Sequence, residues 1–479
     1  MNRSMIPYIL GWVLLCEGAL MLLPAAVAVY YGEQAVWAFV ITIVFCALTG
    51  GLLIRRKPQD RVFYLRDGFV VTALCWILIS LVGAVPFLLS GSVSHPVDAL
   101  FETVSGFTTT GASILPEVES LPRGILFWRS LTHWIGGMGV LVFLLTLLPL
   151  TGGSHVNLMK AESPGPQVEK LVPSVQSTAK ILYCIYIALT LIQIVLLLAG
   201  GMPLFDSLTI SFGTAGTGGF GVKNDSMASY SPYLQNVCTV FMILFGVNFN
   251  FYFLLLFRRG KRAFEMEEVR WYFAIILISI VIITCNIRGM YDTLRHALRD
   301  AAFQVGSIIT TTGYSTTDFD LWPGASKTIL VTLMLIGACA GSTGGGFKVS
   351  RLVVLCKTIR KETRQVLHPK SVGVTRMDGK PVPHEVLRSI NVFMVVYFLI
   401  FAASTFLISF DEFDLVTNFT AVAATLNNIG PGLAAVGPAR SFALFSPGAK
   451  LVLIFDMLAG RLELLPMLIL FGKETWKRF

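Results

Sequence analysis

Four short polar stretches carry glycine beside threonine or asparagine: TTTGAS with Gly111, GTGGFG with Gly218 and Gly219, TTTGYS with Gly313, and NNIGPGL with Gly430 and Gly432. Each follows a short segment of helical pattern and lies between two long apolar runs. Their threonines and main chain offer hydroxyl and carbonyl oxygens but no charge. Glycine lets carbonyls approach closely, so four such loops facing one another make a ring of oxygen ligands for a dehydrated cation. Neutral oxygens suit a weakly hydrated monovalent ion, whereas a divalent ion usually wants carboxylates. The intervals 219−111 = 108, 313−219 = 94 and 432−313 = 119 define one long repeat occurring four times. The candidate ligand positions are Thr110, Gly111, Gly218, Gly219, Thr312, Gly313, Ile429, Gly430 and Gly432. Pro431 separates the last two, and the choice between Gly430 and Gly432 stays open.

A second set lies deeper in each repeat. The apolar run after each loop has a glycine near its middle: Gly136, Gly246, Gly341 and Gly460. In the third repeat this becomes GACAGSTGGGFK, residues 337–348, with five glycines. Each interior glycine costs a helix about 1 kcal/mol relative to alanine. The run therefore predicts two half-helices joined by a polar loop, which membrane depth tolerates only beside a cavity. Residues Gly341, Ser342, Thr343, Gly344, Gly345 and Gly346 read as a gate below the filter. Arg461 sits one position after Gly460 inside FDMLAGRLELLPML. A charge at that depth faces the interior, either opposing cations near the glycine loop or pairing with Asp456 or Glu463. Asn248 and Asn250 fall at nearly the same depth and read either as cavity amides or as interhelical bond formers.

The elements that must position these groups are membrane spans. Mean hydropathy is +0.72, and only 14 % of the 479 residues are charged while 54 % are hydrophobic. That composition belongs to an integral membrane protein. Apolar runs long enough to cross a bilayer fall at roughly 7–30, 35–54, 67–90, 125–150, 179–199, 233–257, 270–286, 327–357, 389–409 and 448–472. Shorter segments at roughly 95–108, 203–215, 293–310 and 412–426 read as pore helices beginning near Asp98, Asp206, Asp292 and Asp411. The expected fold is all-α: four pseudo-symmetric helix–pore loop–helix repeats around a central pore, plus an N-terminal two-helix hairpin. The boundaries are 1–60 for the hairpin, then 61–160, 161–262, 263–372 (with the gating loop) and 373–479 for the repeats.

Charge sets orientation and excludes other classes. The net charge of +9 comes from basic loops at 55–66, 258–270 and 348–388, the pattern of cytoplasmic loops, and not from a nucleic-acid surface. The amino terminus is then cytoplasmic. The four loops lie on the opposite side with Glu102, Glu117, Glu119, Asp318, Asp320, Glu412 and Asp414, which reads as an acidic, cation-concentrating mouth. The first thirty residues read as a retained helix carrying Glu17 rather than a cleaved leader. The 8 cysteines are scattered, with neither a disulfide frame nor a metal site. The glycine run lacks the GK[ST] of a phosphate loop and no strand precedes it. The six histidines form no catalytic spacing, so an embedded enzyme lacks its constellation. A secondary carrier would call for inverted repeats, whereas these are parallel.

Four span–loop–span repeats, TTTGAS and TTTGYS, a glycine-broken span in the third repeat and Arg461 in the last resemble the Trk/Ktr/HKT superfamily of potassium transporters. The length and the extra hairpin resemble its TrkH-type bacterial subunit, across essentially the whole chain. The resemblance implies potassium as the transported ion and no organic cofactor in this chain. It implies filter glycines at Gly111, Gly219, Gly313 and Gly432, a gating loop at 341–346 and a cavity arginine at Arg461. In that family a serine at the first filter position accompanies sodium transport, so Gly111 implies potassium. The resemblance also implies a homodimer in the bacterial inner membrane, regulated by a cytosolic nucleotide-binding ring of the TrkA type. Proton- or sodium-coupled symport remains the alternative to channel-like flux.

Overall fold

The computed structural model describes residues 4–55, 58, 64–139, 175–257, 260–371 and 373–476. The end of the span expected over 125–150, the expected boundaries at 60/61 and 160/161, residue 372 at the boundary 372/373 and parts of all three basic loops lie outside the described residues. The described chain is helical apart from one two-stranded hairpin, β1 (Arg376–Met377) with β2 (Lys380–Pro381).

The amino-terminal pair is α1 (Met5–Leu20), continued by α2 (Leu22–Tyr30), and α3 (Val36–Ile54). Gly11 and Gly50 let α1 and α3 touch backbone to backbone: a Cβ on Gly11 would lie 2.9 Å from the Gly50 carbonyl oxygen, and one on Gly50 2.8 Å from that of Gly11. Small residues at such crossings are how helices associate in lipid, where no hydrophobic gain separates helix from solvent.

The first repeat holds α4 (Leu65–Gly83), α5 (Val85–Leu89), pore helix α6 (Pro96–Phe107) and α7 (Arg123–Met138). The second holds α8 (Val175–Ala199), pore helix α9 (Leu204–Gly216), α10 (Pro232–Phe245) and α11 (Phe249–Leu256), followed by the short α12 (Gly260–Glu265). The third holds α13 (Glu267–Ile287), pore helix α14 (Leu294–Ile309), α15 (Gly324–Ile336) and α16 (Val349–Leu367). The fourth holds α17 (His384–Ile408), pore helix α18 (Leu415–Leu426), α19 (Pro447–Arg461) and α20 (Leu465–Phe471).

The ten expected spans resolve into two kinds. Among the described residues six helical stretches are long and apolar enough to cross a membrane: Met5–Tyr30, Val36–Ile54, Leu65–Leu89, Ala179–Ala199, Glu267–Met290 and His384–Asp411. These are the hairpin and the first span of every repeat. The second spans are interrupted, and not only in the third repeat. Helices α10 and α11 meet at 90°, α15 and α16 are separated by the glycine run, and α19 gives way to α20 through Glu463 and Leu464, both at positive φ. Broken spans leave main-chain groups free at membrane depth, which requires a cavity or protein contact to satisfy them.

The four acids read near pore-helix starts take different places. Asp98 and Asp206 lie in first turns, but Thr293 rather than Asp292 caps α14. Asp414 caps α18 by accepting from the Thr417 N–H, while Asp411 accepts from Ser446 before α19. Hydrogen bonding from the Thr417 hydroxyl holds the Asp414 carboxyl below the usual carboxylate range.

The hairpin is tied to the first repeat by Glu33, whose carboxylate accepts from the main-chain N–H groups of Arg123 (2.6 Å) and Gly124 (2.9 Å) at the start of α7. Those N–H groups have no partner within the helix, and an acid there suits the helix dipole. Glu33→Ala is expected to remove about 1 kcal/mol of stabilisation, read as a lower melting temperature in detergent, with Glu33→Gln restoring part of it. Equal melting of the alanine variant and the parent would remove this anchor.

Candidate pore and gate

Each pore helix ends in the same way. At its C-terminus a residue with left-handed backbone follows: Thr109 (φ 57°), Thr217 (φ 56°), Thr311 (φ 58°) and Asn428 (φ 55°). The N–H of that residue donates back to the carbonyls of Gly106, Thr214, Ile308 and Thr425, at 3.0–3.1 Å. The next N–H, of Thr110, Gly218, Thr312 and Ile429, donates to Ser105, Gly213, Ser307 and Ala424, at 2.8–2.9 Å. This pair of bonds is the Schellman cap, which normally uses glycine at the left-handed position. A β-branched threonine there is strained, so the surroundings must hold it. Thr311 accepts from the Gly345 N–H at 2.6 Å, and the Asn428 amide donates to Thr110 Oγ1 and the Met457 carbonyl, both at 2.9 Å.

The glycine after each cap closes a ring. Gly111, Gly219, Gly313 and Gly430 all have positive φ (75°, 77°, 87° and 102°). A Cβ on Gly111 would sit 1.8 Å from the Gly218 oxygen, on Gly219 2.0 Å from the Thr312 oxygen, on Gly313 2.2 Å from the Ile429 oxygen, and on Gly430 2.8 Å from the Thr110 oxygen. The order runs first repeat to second, second to third, third to fourth, and fourth back to first. Eight of the nine positions read from sequence are therefore brought together as four glycine–carbonyl contacts.

Gly432 is not in that register. Its N–H donates to the Val436 carbonyl at 2.7 Å, and a Cβ there would meet Thr420. The motif alignment placed it beside Gly111, Gly219 and Gly313 because NNIGPGL has two glycines, but Asn428 and not Gly430 takes the left-handed cap position. The last interval is thus 430−313 = 117.

Side chains absent from the sequence reading brace the ring. His133 of α7 bonds the Gly106 carbonyl through Nδ1 at 2.7 Å and accepts from the Phe220 N–H through Nε2 at 3.3 Å. Those bonds set the neutral tautomer with its proton on Nδ1. Arg129, also in α7, donates to Glu102 at 2.5 Å and to the Gly221 carbonyl at 2.9 Å, with its guanidinium 3.6 Å over the Phe220 ring. Glu102 is fully buried and also accepts from Ser113 and the Ile114 N–H. One ion pair thus joins the first pore helix, its following loop and the second loop. A histidine and an arginine inside an apolar run were the available signal.

Above the ring lies a cavity of about 310 Å³ whose floor includes Gly111, Gly219, Gly313 and Gly430. Its charged lining is Arg129, Lys223 and Arg440. The expected acids do not line this cavity. Glu102 is buried against Arg129, Asp318 and Asp320 cap a turn or pair with Lys327, and Glu117, Glu119, Glu412 and Asp414 are exposed outside it.

Below the ring, the glycine run forms the loop expected of it. Helix α15 stops at Ile336 and α16 starts at Val349, with positive φ at Gly337, Gly341, Gly346 and Lys348. The loop packs under the third pore helix: a Cβ on Gly344 would lie 2.9 Å from the Thr310 oxygen and one on Gly345 2.4 Å from the Asn427 oxygen. Lys348 Nζ donates to the Gly344 carbonyl. Arg461 reaches the same place: it donates to the carbonyls of Thr343 (2.9 Å), Gly136 (2.5 Å) and Gly137 (2.8 Å). The two acids weighed as its partners are engaged with other groups, Glu463 with Arg351 and Asp456 with Ser404. Asn248 caps α11 and donates to Glu268, which makes it a bond former between helices.

Comparison with known proteins agrees with this architecture. A sequence family described as TrkH, cation transport protein, matches residues 35–477. The Trk system potassium uptake protein TrkH of Salmonella typhimurium is 36 % identical over 486 residues, covering all of both chains. The Trk system potassium uptake protein TrkG of Escherichia coli is 33 % identical over 488 residues, again covering both in full. The crystal structure of the potassium transporter TrkH from Vibrio parahaemolyticus superimposes with a TM-score of 0.90 at 32 % identity over the whole of both chains. With that coverage and this helical architecture, the chain belongs to the TrkH family of cation transport proteins and is a transporter rather than an enzyme.

Proposed function

We propose that this protein is the ion-conducting subunit of a Trk-type potassium uptake system in the bacterial inner membrane. The observation that carries the reading is the closed ring in which each filter glycine abuts the carbonyl preceding the next. The filter comprises Thr110, Gly111, Gly218, Gly219, Thr312, Gly313, Ile429 and Gly430, with Gly432 behind it. These positions supply neutral oxygens. Such ligands replace the hydration shell of a large monovalent cation at low cost, and their number and spacing discriminate against smaller ions. The pore helices add to this, because their C-terminal ends carry partial negative charge toward the ion's path. The boundaries at 60/61, 160/161, 262/263 and 372/373 divide the chain into hairpin and repeats, with the amino terminus cytoplasmic.

The loop 341–346 and Arg461 form the gate. Arg461 bonds the loop to the first repeat and leaves a permanent positive charge on the route. A like charge a few ångströms from a passing cation costs about 1–4 kcal/mol in a partly wet cavity. Regulation comes from a cytosolic nucleotide-binding ring of the TrkA type, and the working unit is a homodimer. Relatives that bear the name of the Trk system support the partner. Channel-like flux is favoured over proton-coupled symport because the residues of the filter ring carry no titratable side chain and the adjoining His133 has both ring nitrogens engaged.

Cells lacking other potassium uptake are expected to grow on low potassium when given this chain with its partner; growth no better than the empty control, with correct insertion, overturns the reading. Gly111→Ser is expected to raise sodium permeability relative to potassium, since its Cβ must displace the Gly218 carbonyl. Gly432→Ser is expected to leave the ratio near the parent's, and equal effects at both sites would dissolve the assigned ring. Arg461→Ala is expected to raise rubidium flux in liposomes about tenfold at unchanged selectivity. Arg461→Lys keeps the charge but cannot span all three carbonyls, so its flux should fall between. An alanine variant that is less stable and no faster refutes the barrier.

A further inference from the structure

The glycine loop is held at both ends by a single oxygen. Glu268, in the first turn of α13, is 5 % exposed. Its Oε1 accepts from the Ala340 N–H at 2.6 Å, near the start of the loop, and from the Ser350 N–H at 3.0 Å, just past its end. Ser350 lies in the first turn of α16, so this carboxylate also caps that helix from another element and suits its dipole. Its second oxygen accepts from the Asn248 amide at 3.3 Å. Asn248 stands at the 90° break in the second repeat, where the Phe249 N–H donates to the Gly341 carbonyl at 3.0 Å and the Cys339 N–H donates to Gly246 at 3.1 Å. Glu268 therefore gathers two broken spans around the loop.

The residue before it faces the other way. Neighbours on a helix point about 100° apart, and Glu267 looks to the basic end of the molecule. Its N–H donates to Asp378 Oδ1 at 2.7 Å, in the turn between β1 and β2. Its carboxylate pairs with Lys357 of α16, which also donates to the Arg376 carbonyl at 2.9 Å. The β-hairpin is thus fastened to the same helical turn that holds the loop.

We infer that Glu267 and Glu268 couple the cytosolic hairpin to the gate: Glu268 latches the glycine loop closed, and Glu267 ties that latch to residues 376–381. This rests on the uptake reading above and names its route of regulation. Movement of the hairpin shifts the first turn of α13 and withdraws one oxygen from two loop N–H groups at once. The loop then keeps its bonds to the second-repeat break, Thr311 and Arg461 but loses the Glu268 clamp, and Cys339, fully buried within it, becomes reachable from water. Glu268 is a positioning residue, since it acts through the loop and not on the ion.

The test uses the full chain in liposomes, with two readouts: rubidium flux, and modification of Cys339 by a water-soluble thiol reagent, resolved by peptide mass spectrometry. Glu268→Ala is expected to raise basal flux about tenfold and to speed Cys339 modification, with the potassium-to-sodium ratio unchanged. Glu268→Gln keeps an acceptor oxygen and should stay near the parent on both readouts, which a general packing defect would not do. Lys357→Met combined with Asp378→Ala should speed Cys339 modification in the parent and add nothing in Glu268→Ala. Parent-level modification and flux in Glu268→Ala overturns the latch. Additive effects of the two sets overturn the coupling through Glu267. If the parent passes no rubidium at all, the uptake reading fails, and the Cys339 rates still decide the latch.

Discussion

Four glycine α-carbons pressed against four carbonyl oxygens are the constraint on which the molecule is built. At three of these contacts a Cβ would sit within 2.2 Å of the neighbouring oxygen, and at the fourth at 2.8 Å. No side chain fits there, and the backbone must also turn with positive φ. Such a ring exposes main-chain oxygens at membrane depth, where nothing but protein, water or an ion can satisfy them. The remaining architecture supplies those surroundings. Four pore helices stop short of crossing, four Schellman caps release the carbonyls that follow, and strained threonines and an asparagine stand at the cap positions. The strain is held by hydrogen bonds from elsewhere in the same repeat, as Gly345 holds Thr311 and Met457 holds Asn428, and by the Asn428 amide reaching Thr110 of the first repeat.

The glycine ring and the glycine loop below it are consequently one mechanical unit. Thr311 belongs to the third cap yet takes its hydrogen bond from the glycine loop. Arg461, at the end of the last repeat, reaches the first repeat and that same loop. A guanidinium suits this place because its planar fork serves several carbonyls at once and it stays ionised. The interrupted second spans follow from the same geometry: bending α10 against α11 and ending α19 at Arg461 brings main-chain and polar groups onto the glycine loop.

Much of this was legible in the sequence, and for identifiable reasons. The pore helices at 96–107, 204–216, 294–309 and 415–426 fall close to the expected segments, because a short apolar helix between two long ones leaves few other readings. The glycine run at 337–348 had to break its span, since five glycines cost more than a helix recovers. The eight positions of the glycine–carbonyl ring followed from repetition of one motif. The fourth motif misled by its second glycine: Gly432 matches the pattern by composition, but register is set by which residue takes the left-handed cap, and Asn428 does so.

Local composition and periodicity therefore determined the class, the fourfold repeat, the pore helices and the break at the glycine run, because these depend on properties carried by short stretches of chain. Only the tertiary structure decided what depends on residues far apart. It turned Glu102 from a mouth acid into the partner of Arg129, left the vestibule with Arg129, Lys223 and Arg440, made His133 a brace between two loops, and broke the second and fourth repeats as well as the third. The His133 brace and the cavity lining join different repeats, whereas Glu102 and Arg129 meet within the first, where two of its helices pack together. An acid is a solvated charge or a buried clamp according to the cation beside it, and that neighbour is chosen by the fold.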